Sequence, residues 1–206
     1  MEKFKKIVGI AAPFTRINVD TDLIIPAESL KTISRKGLGK DLFSYIRFND
    51  DGTENKNFIL NKNGYKNSKI LITGKNFGCG SSREHAVWAL KDFGIKCLIG
   101  TEFADIFYNN CFKNGVLPIV LETKQVEKII KIVSSLSTSE LEIDLISQTI
   151  KTKKNNIINF DILTYLKNNL LEGVDDVSKT LEKKKLIDKY ETYVGKKFPW
   201  LGKENG

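Results

Sequence analysis

The run Gly74-Lys75-Asn76-Phe77-Gly78-Cys79-Gly80-Ser81-Ser82-Arg83-Glu84-His85-Ala86 constrains this chain more than any other stretch. Ahead of it, Lys69-Ile70-Leu71-Ile72-Thr73 is a short apolar run of strand type. Behind it, Ala86-Val87-Trp88-Ala89-Leu90 repeats apolar residues at helical spacing. Glycines between a strand and a helix let the backbone turn sharply and leave N–H groups uncovered. Ser81-Ser82-Arg83-Glu84 stands where that helix begins. A helix start with free N–H groups, two hydroxyls and a guanidinium is a site for a carboxylate or a phosphate.

The flanking sequence supplies the rest of an alternating pattern. Ile7 to Ala12 reads as a first strand, and the polar, turn-prone stretch Thr15 to Asp22 leads to Leu23-Ile24-Ile25-Pro26. A short helix is expected over 28–33, with Pro26 just ahead of it. Asn49-Asp50-Asp51-Gly52 and Asn63-Gly64 are turn signals that bracket a surface insertion. Lys96 to Gly100 reads as a buried strand, and 104–113 as a helix ending at Asn114-Gly115. Leu117 to Leu121 is a further strand, 126–133 an amphipathic helix, and 141–145 with 149–152 a hairpin. Ile162 to Leu171 is helical in pattern. This alternation predicts an α/β domain over 1–172 with a mainly parallel sheet. Residues 173–206 form a charged, helix-bearing tail whose apolar end, Phe198-Pro199-Trp200-Leu201, is expected to dock on the domain or on a partner.

Composition narrows the function classes. At 206 residues the chain can bury a real core, and 41% hydrophobic with 28% charged residues is ordinary for a soluble protein. No apolar run approaches the ~20 residues of a membrane span, so no membrane role is expected. The apolar run after Lys6 is short for a signal peptide, and a cytoplasmic location is the expectation. The net charge of +8 raises a nucleic-acid reading, but the lysines are scattered without interleaved aromatics. A solvated face explains them better, so no nucleic acid is expected. Cys79, Cys97 and Cys111 include no Cys-x-x-Cys pair, and His85 is the sole histidine. A self-contained zinc or iron–sulfur site is therefore poorly supported, and no metal is assigned to this chain.

The central run resembles the signature of the small, swivelling domain of the aconitase superfamily. Asn18-Val19-Asp20-Thr21-Asp22-Leu23-Ile24-Ile25-Pro26, Arg35-Lys36-Gly37-Leu38-Gly39, Asp105 to Gly115 and Gly173 to Leu181 are similar, in the same order, to stretches of the bacterial small subunits of isopropylmalate dehydratases. The resemblance covers nearly the whole chain. It implies a swivelling β/β/α-type domain and a heterodimer with the large subunit of 3-isopropylmalate dehydratase. That partner carries a 4Fe–4S cluster and this chain binds no cofactor. The implied reaction is a dehydration and rehydration that interconverts 2-isopropylmalate and 3-isopropylmalate in leucine biosynthesis. Homoaconitase and citramalate-type dehydratase small subunits are the alternatives.

By the same resemblance Ser81 is the base. Ser82, Arg83 and Arg35 bind substrate carboxylates, and Leu30 meets the group that varies between substrates. Lys31, if turned inward, would instead suit a third carboxylate. Asp22, Glu84 and His85 are expected to support these groups from behind. Each has a plainer reading. Ser81-x-x-Glu84 is also a capping box, which on sequence physics alone is the stronger reading of that pair. Arg83 could be a surface ion pair, and Asp20 and Asp22 simple turn formers.

Overall fold

The computed structural model describes residues 1–200 and divides into two compact units, Met1–Gly173 and Val174–Gly206. In the first unit the strands are β1 (Lys6–Phe14), β2 (Ile70–Thr73), β3 (Cys97–Gly100), β4 (Leu117–Val120), β5 (Glu140–Asp144), β6 (Thr149–Thr152) and β7 (Ile157–Asn159). They make one seven-stranded sheet in the order β4-β3-β2-β1-β5-β6-β7. β1 to β4 pair in parallel, whereas β1–β5, β5–β6 and β6–β7 pair antiparallel. The α/β reading therefore holds. The parallel half carries the site and the antiparallel half, including the expected hairpin, extends the sheet away from it.

Every residue of β2 and β3 is buried, as expected of parallel strands covered on both faces. Their alternation splits the interior in two. Leu71 and Leu98 face one cluster, with Phe14, Phe43, Phe58 and Phe77. Ile70, Ile72, Cys97 and Ile99 face the other, with Val126, Ile129, Leu166 and Leu170. The helices of this unit are α1 (Thr21–Ile24), α2 (Ser44–Arg47), α3 (Glu84–Phe93), α4 (Asp105–Asn114), α5 (Thr123–Val133) and α6 (Thr164–Glu172). Gly94, Gly115 and Gly173 close α3, α4 and α6 in the left-handed conformation that favours glycine.

Two expectations change. The helix expected over 28–33 is a 3-10 turn, Ala27–Lys31, after which Thr32 is extended. α5 starts earlier than its apolar pattern, because Glu122 and Gln125 form a reciprocal capping box. In the second unit, α7 (Asp176–Glu182) is capped by the Asp175 carboxylate, which accepts from the Ser178 N–H at 2.8 Å. α8 spans Lys184–Lys197, and the Phe198 and Trp200 rings beyond it lie 5.7 Å apart. Leu201 and the rest of the tail lie outside the described residues.

Candidate active site

Three loops converge beyond the carboxyl ends of β1, β2 and β3, the edge where open α/β sheets bind their ligands. The glycine loop after β2 lies between the other two and is bonded to both. On one side, Gly78 N–H donates to the Val19 carbonyl at 2.7 Å, and Thr21 N–H to that of Cys79 at 2.9 Å. On the other, Ala104 N–H donates to the Phe77 carbonyl at 3.1 Å. Phe77 carries the loop into the core, where its ring meets those of Phe14, Phe43, Phe103 and Phe107. Gly78 has φ +80°, and a Cβ there would stand 2.2 Å from the Phe107 ring. No side chain fits in that space.

This arrangement leaves a pocket of about 220 Å³ lined by Thr21, Gly78, Gly80, Ser81, Ser82, Arg83 and the first residues of α4, Ala104 to Phe107. Ser81 is held by its backbone, since the buried Thr21 hydroxyl donates to its carbonyl at 2.7 Å. Neither the Ser81 nor the Ser82 hydroxyl has a hydrogen-bond partner among the described residues, and both residues are exposed. α3 begins only at Glu84, with Arg83 in the N-cap position and no side-chain cap. The capping-box reading of Ser81-x-x-Glu84 is thereby overturned. The left-handed turn at Gly80 and the pairing of the loop with Val19 to Thr21 carry the serines clear of the helix.

Arg83 is four-fifths buried at its side chain and forms an ion pair with Asp22, its Nη1 donating to Asp22 Oδ1. Asp20, two residues earlier, caps α1 by accepting from the Leu23 N–H at 2.6 Å. The pocket thus brings together Ser81, Ser82 and Arg83, with Asp22 behind the arginine. α4 contributes a wall that sequence reasoning missed. Its N-cap residue, Ala104, has no capping side chain, and the first amides of a helix lack partners within it.

The other expected residues lie outside this pocket. Glu84 Oε1 accepts from Asn114 Nδ2 at 2.8 Å and from Trp88 Nε1 at 3.3 Å, tying α3 to α4. His85 Nε2 is 3.0 Å from the Thr32 carbonyl, and its ring lies tilted against that of Trp88, with centroids 4.4 Å apart. Arg35 is exposed and its guanidinium lies over the Trp88 ring, 5.1 Å from the centroid. Leu30, within the 3-10 turn, packs half-buried against the core. Lys31 is exposed.

The cysteines do not make a metal site. Cys97 and Cys111 are fully buried, and burial pushes both thiols well above their ordinary value. Cys79 is half-buried in the glycine loop. Among the described residues no group of three or more His, Cys, Asp or Glu could hold a metal ion, so these residues do not fit an iron–sulfur cluster. No helix among them is long and apolar enough to cross a membrane.

Known proteins share this architecture. The Aconitase C-terminal domain family matches residues 1–124. The 3-isopropylmalate dehydratase small subunit of Xanthobacter autotrophicus is 53% identical over 201 residues, covering 98% of this chain and 100% of that protein. Its counterpart in Brucella canis is 51% identical over 200 residues, covering 97% and 100%. The crystal structure of a 3-isopropylmalate dehydratase from Methanocaldococcus jannaschii superimposes with a TM-score of 0.64 at 33% identity, covering 90% of this chain and 99% of that one. With the family match spanning the glycine loop, and full-length relatives above half identity, the chain belongs to the 3-isopropylmalate dehydratase small-subunit family of the aconitase superfamily.

Proposed function

We propose that this chain is the substrate-gripping half of a 3-isopropylmalate dehydratase, a hydro-lyase that interconverts 2-isopropylmalate and 3-isopropylmalate in leucine biosynthesis. Its partner is a large subunit that carries the 4Fe–4S cluster, and the chain is inactive without it. The observation that carries this reading is the pocket in which two unpartnered serine hydroxyls stand beside an arginine already held by an aspartate.

The chemistry requires a proton to leave a carbon next to a carboxylate while a hydroxyl leaves the neighbouring carbon. The product is an unsaturated diacid, and water adds back with the hydroxyl and proton exchanged between the two carbons. Ser81 Oγ is the base that takes the carbon-bound proton and returns it on rehydration. A serine hydroxyl is a weak base unless its alkoxide is stabilised. The Arg83 charge and the uncapped start of α4 supply positive potential in the same pocket. Arg83 offers a planar fork to a substrate carboxylate, and Ser82 a hydroxyl donor. Asp22 occupies one edge of that fork and keeps it aimed into the pocket. Arg35 holds a second carboxylate, and Leu30 on the adjoining turn faces the isopropyl group. The tail of 174–206 docks on the domain or the large subunit.

The test is reconstitution with the cognate large subunit and its cluster. The pair turns over 2-isopropylmalate in preference to methyl-substituted malates and tricarboxylates, whereas either chain alone does not. Ser81→Ala abolishes turnover while the two chains still co-elute. Normal activity of that variant would remove Ser81 as the base, and a preference for a tricarboxylate would move the chain to a homoaconitase.

A further inference from the structure

The loop of residues 32–39, which carries Arg35, is fastened to the outer side of α3 at three points. His85 Nε2 is 3.0 Å from the Thr32 carbonyl. The Trp88 ring lies under the Arg35 guanidinium. Asp92 Oδ2 accepts from the Gly37 N–H at 2.9 Å and from the Gly39 N–H at 2.8 Å. Residues 85, 88 and 92 follow one another at the three- and four-residue spacing of a single helix face. The opposite face, with Ala86, Val87, Ala89 and Leu90, is buried in the core.

The fit between loop and helix is close. A Cβ at Gly39 would stand 2.6 Å from the Phe93 backbone nitrogen, so the loop touches the helix backbone there with no room for a side chain. Arg47, a residue only 6% exposed, closes the far end, its guanidinium donating to the carbonyls of Gly39 and Lys40. Between these fixed ends Arg35 lies against α3, and Ile33 is 97% exposed. The indole is itself held from behind: Trp88 Nε1 donates to Asn114 Oδ1 at 2.9 Å and to Glu84 Oε1 at 3.3 Å. A ring fixed at its N–H presents a set plane to the cation above it.

We propose that His85, Trp88 and Asp92 form a docking stripe that sets the position of the Arg35 loop, with Trp88 and Asp92 as positioning residues for the grip on a substrate carboxylate. This rests on the reading above in which Arg35 meets that carboxylate. α3 starts directly after the Ser82-Arg83 pair, so one rigid helix carries the pocket residues at its head and the loop along its flank. The distance between the two carboxylate-binding arginines is then set by the helix rather than by the loop. The stripe itself touches no substrate.

The test compares the full-length chain with Trp88→Leu, Trp88→Phe and Asp92→Ala. In the free subunit, tryptic cleavage after Lys31, Arg35 and Lys36, followed by mass spectrometry, speeds up about tenfold in Trp88→Leu and Asp92→Ala, while Trp88→Phe stays near the parent. In the complex with the large subunit, the same two variants raise KM for 2-isopropylmalate about tenfold with kcat within about twofold, and Trp88→Phe recovers most of the loss. Unchanged cleavage in Asp92→Ala, at an exposed position, overturns the docking stripe. Faster cleavage with KM unchanged overturns the link to substrate binding. A fall in kcat alone marks damage to the serine pocket and also overturns it. Failure of the parent pair to turn over isopropylmalate, with cleavage behaving as stated, strikes the proposed substrate and leaves the stripe standing.

Discussion

Asp22 and Arg83 form an ion pair that bridges the first turn of α1 and the start of α3, one carboxylate oxygen accepting from Nη1. The aspartate is half exposed and the arginine mostly covered, so the pair sits at a boundary where the aspartate side is wet. Its effect on stability is small for that reason. Its effect on orientation is larger, because a guanidinium without a partner samples many rotamers.

Asp22→Asn keeps a neutral acceptor, and Asp22→Ala removes it. In the reconstituted enzyme Asp22→Ala is expected to lower kcat/KM by about 10- to 100-fold, the range of one charge-assisted hydrogen bond, with Asp22→Asn in between. Arg83→Lys loses the fork and falls further than Asp22→Ala. Steady-state kinetics of the three variants give the ranking, and a wild-type rate in Asp22→Ala contradicts it.

The two left-handed glycines of the loop differ in what surrounds them. At Gly78 an added Cβ meets the Phe107 ring at 2.2 Å, whereas at Gly80 it meets the Asp20 Cβ at 3.2 Å. Gly78→Ala is expected to cost about 2–4 kcal/mol, and Gly80→Ala about 1 kcal/mol from backbone strain alone. Thermal unfolding of the two variants orders them, and a larger loss at Gly80 is the contrary result.

The cysteines separate by burial. Cys97 and Cys111 are inaccessible and their thiols are pushed upward, so neither forms thiolate near neutral pH. Alkylation of the native chain at pH 7.5 is expected to label Cys79 first, with the other two reacting only on unfolding. Peptide mapping after timed iodoacetamide exposure reads this directly.

Asp144 closes the turn between β5 and β6 by accepting from the Ser147 N–H at 3.1 Å and the Ile146 N–H at 2.8 Å. The hydrogen bond from the Ser147 amide leads in lowering its pKa from the ordinary 3.8, with the Ile146 amide and the Ser147 side chain adding to it. A lowered folded value means stability present above the ordinary carboxylate pKa and lost as pH falls through the folded one. Asp144→Ala is expected to be less stable than the parent at pH 7, the gap closing as the pH drops below that range. Denaturation midpoints at several pH values test the trend.

Much of this was legible from the residues themselves. β2, the glycine loop and α3 follow from apolar periodicity and glycine chemistry, and Leu117 to Leu121 announces β4 in the same way. The start of α3 was harder. Ser81 and Glu84 have capping-box spacing, but Glu84 is claimed by Asn114, thirty residues away, and by Trp88. A local pattern cannot register a competitor that arrives through tertiary packing. The same holds for the α4 wall and for the stripe under Arg35, whose members become neighbours only once the loop is laid on the helix. β7 is three residues long, too short for alternation to declare it.

The abundance of glycine around the serine pair would suggest mobility, and the ring of Phe77 argues the reverse. Locked edge to face among four other phenylalanines, it anchors the segment as a nail holds a strap. The entropy of ordering this segment is therefore met during folding, and its backbone amides are in place before any ligand arrives.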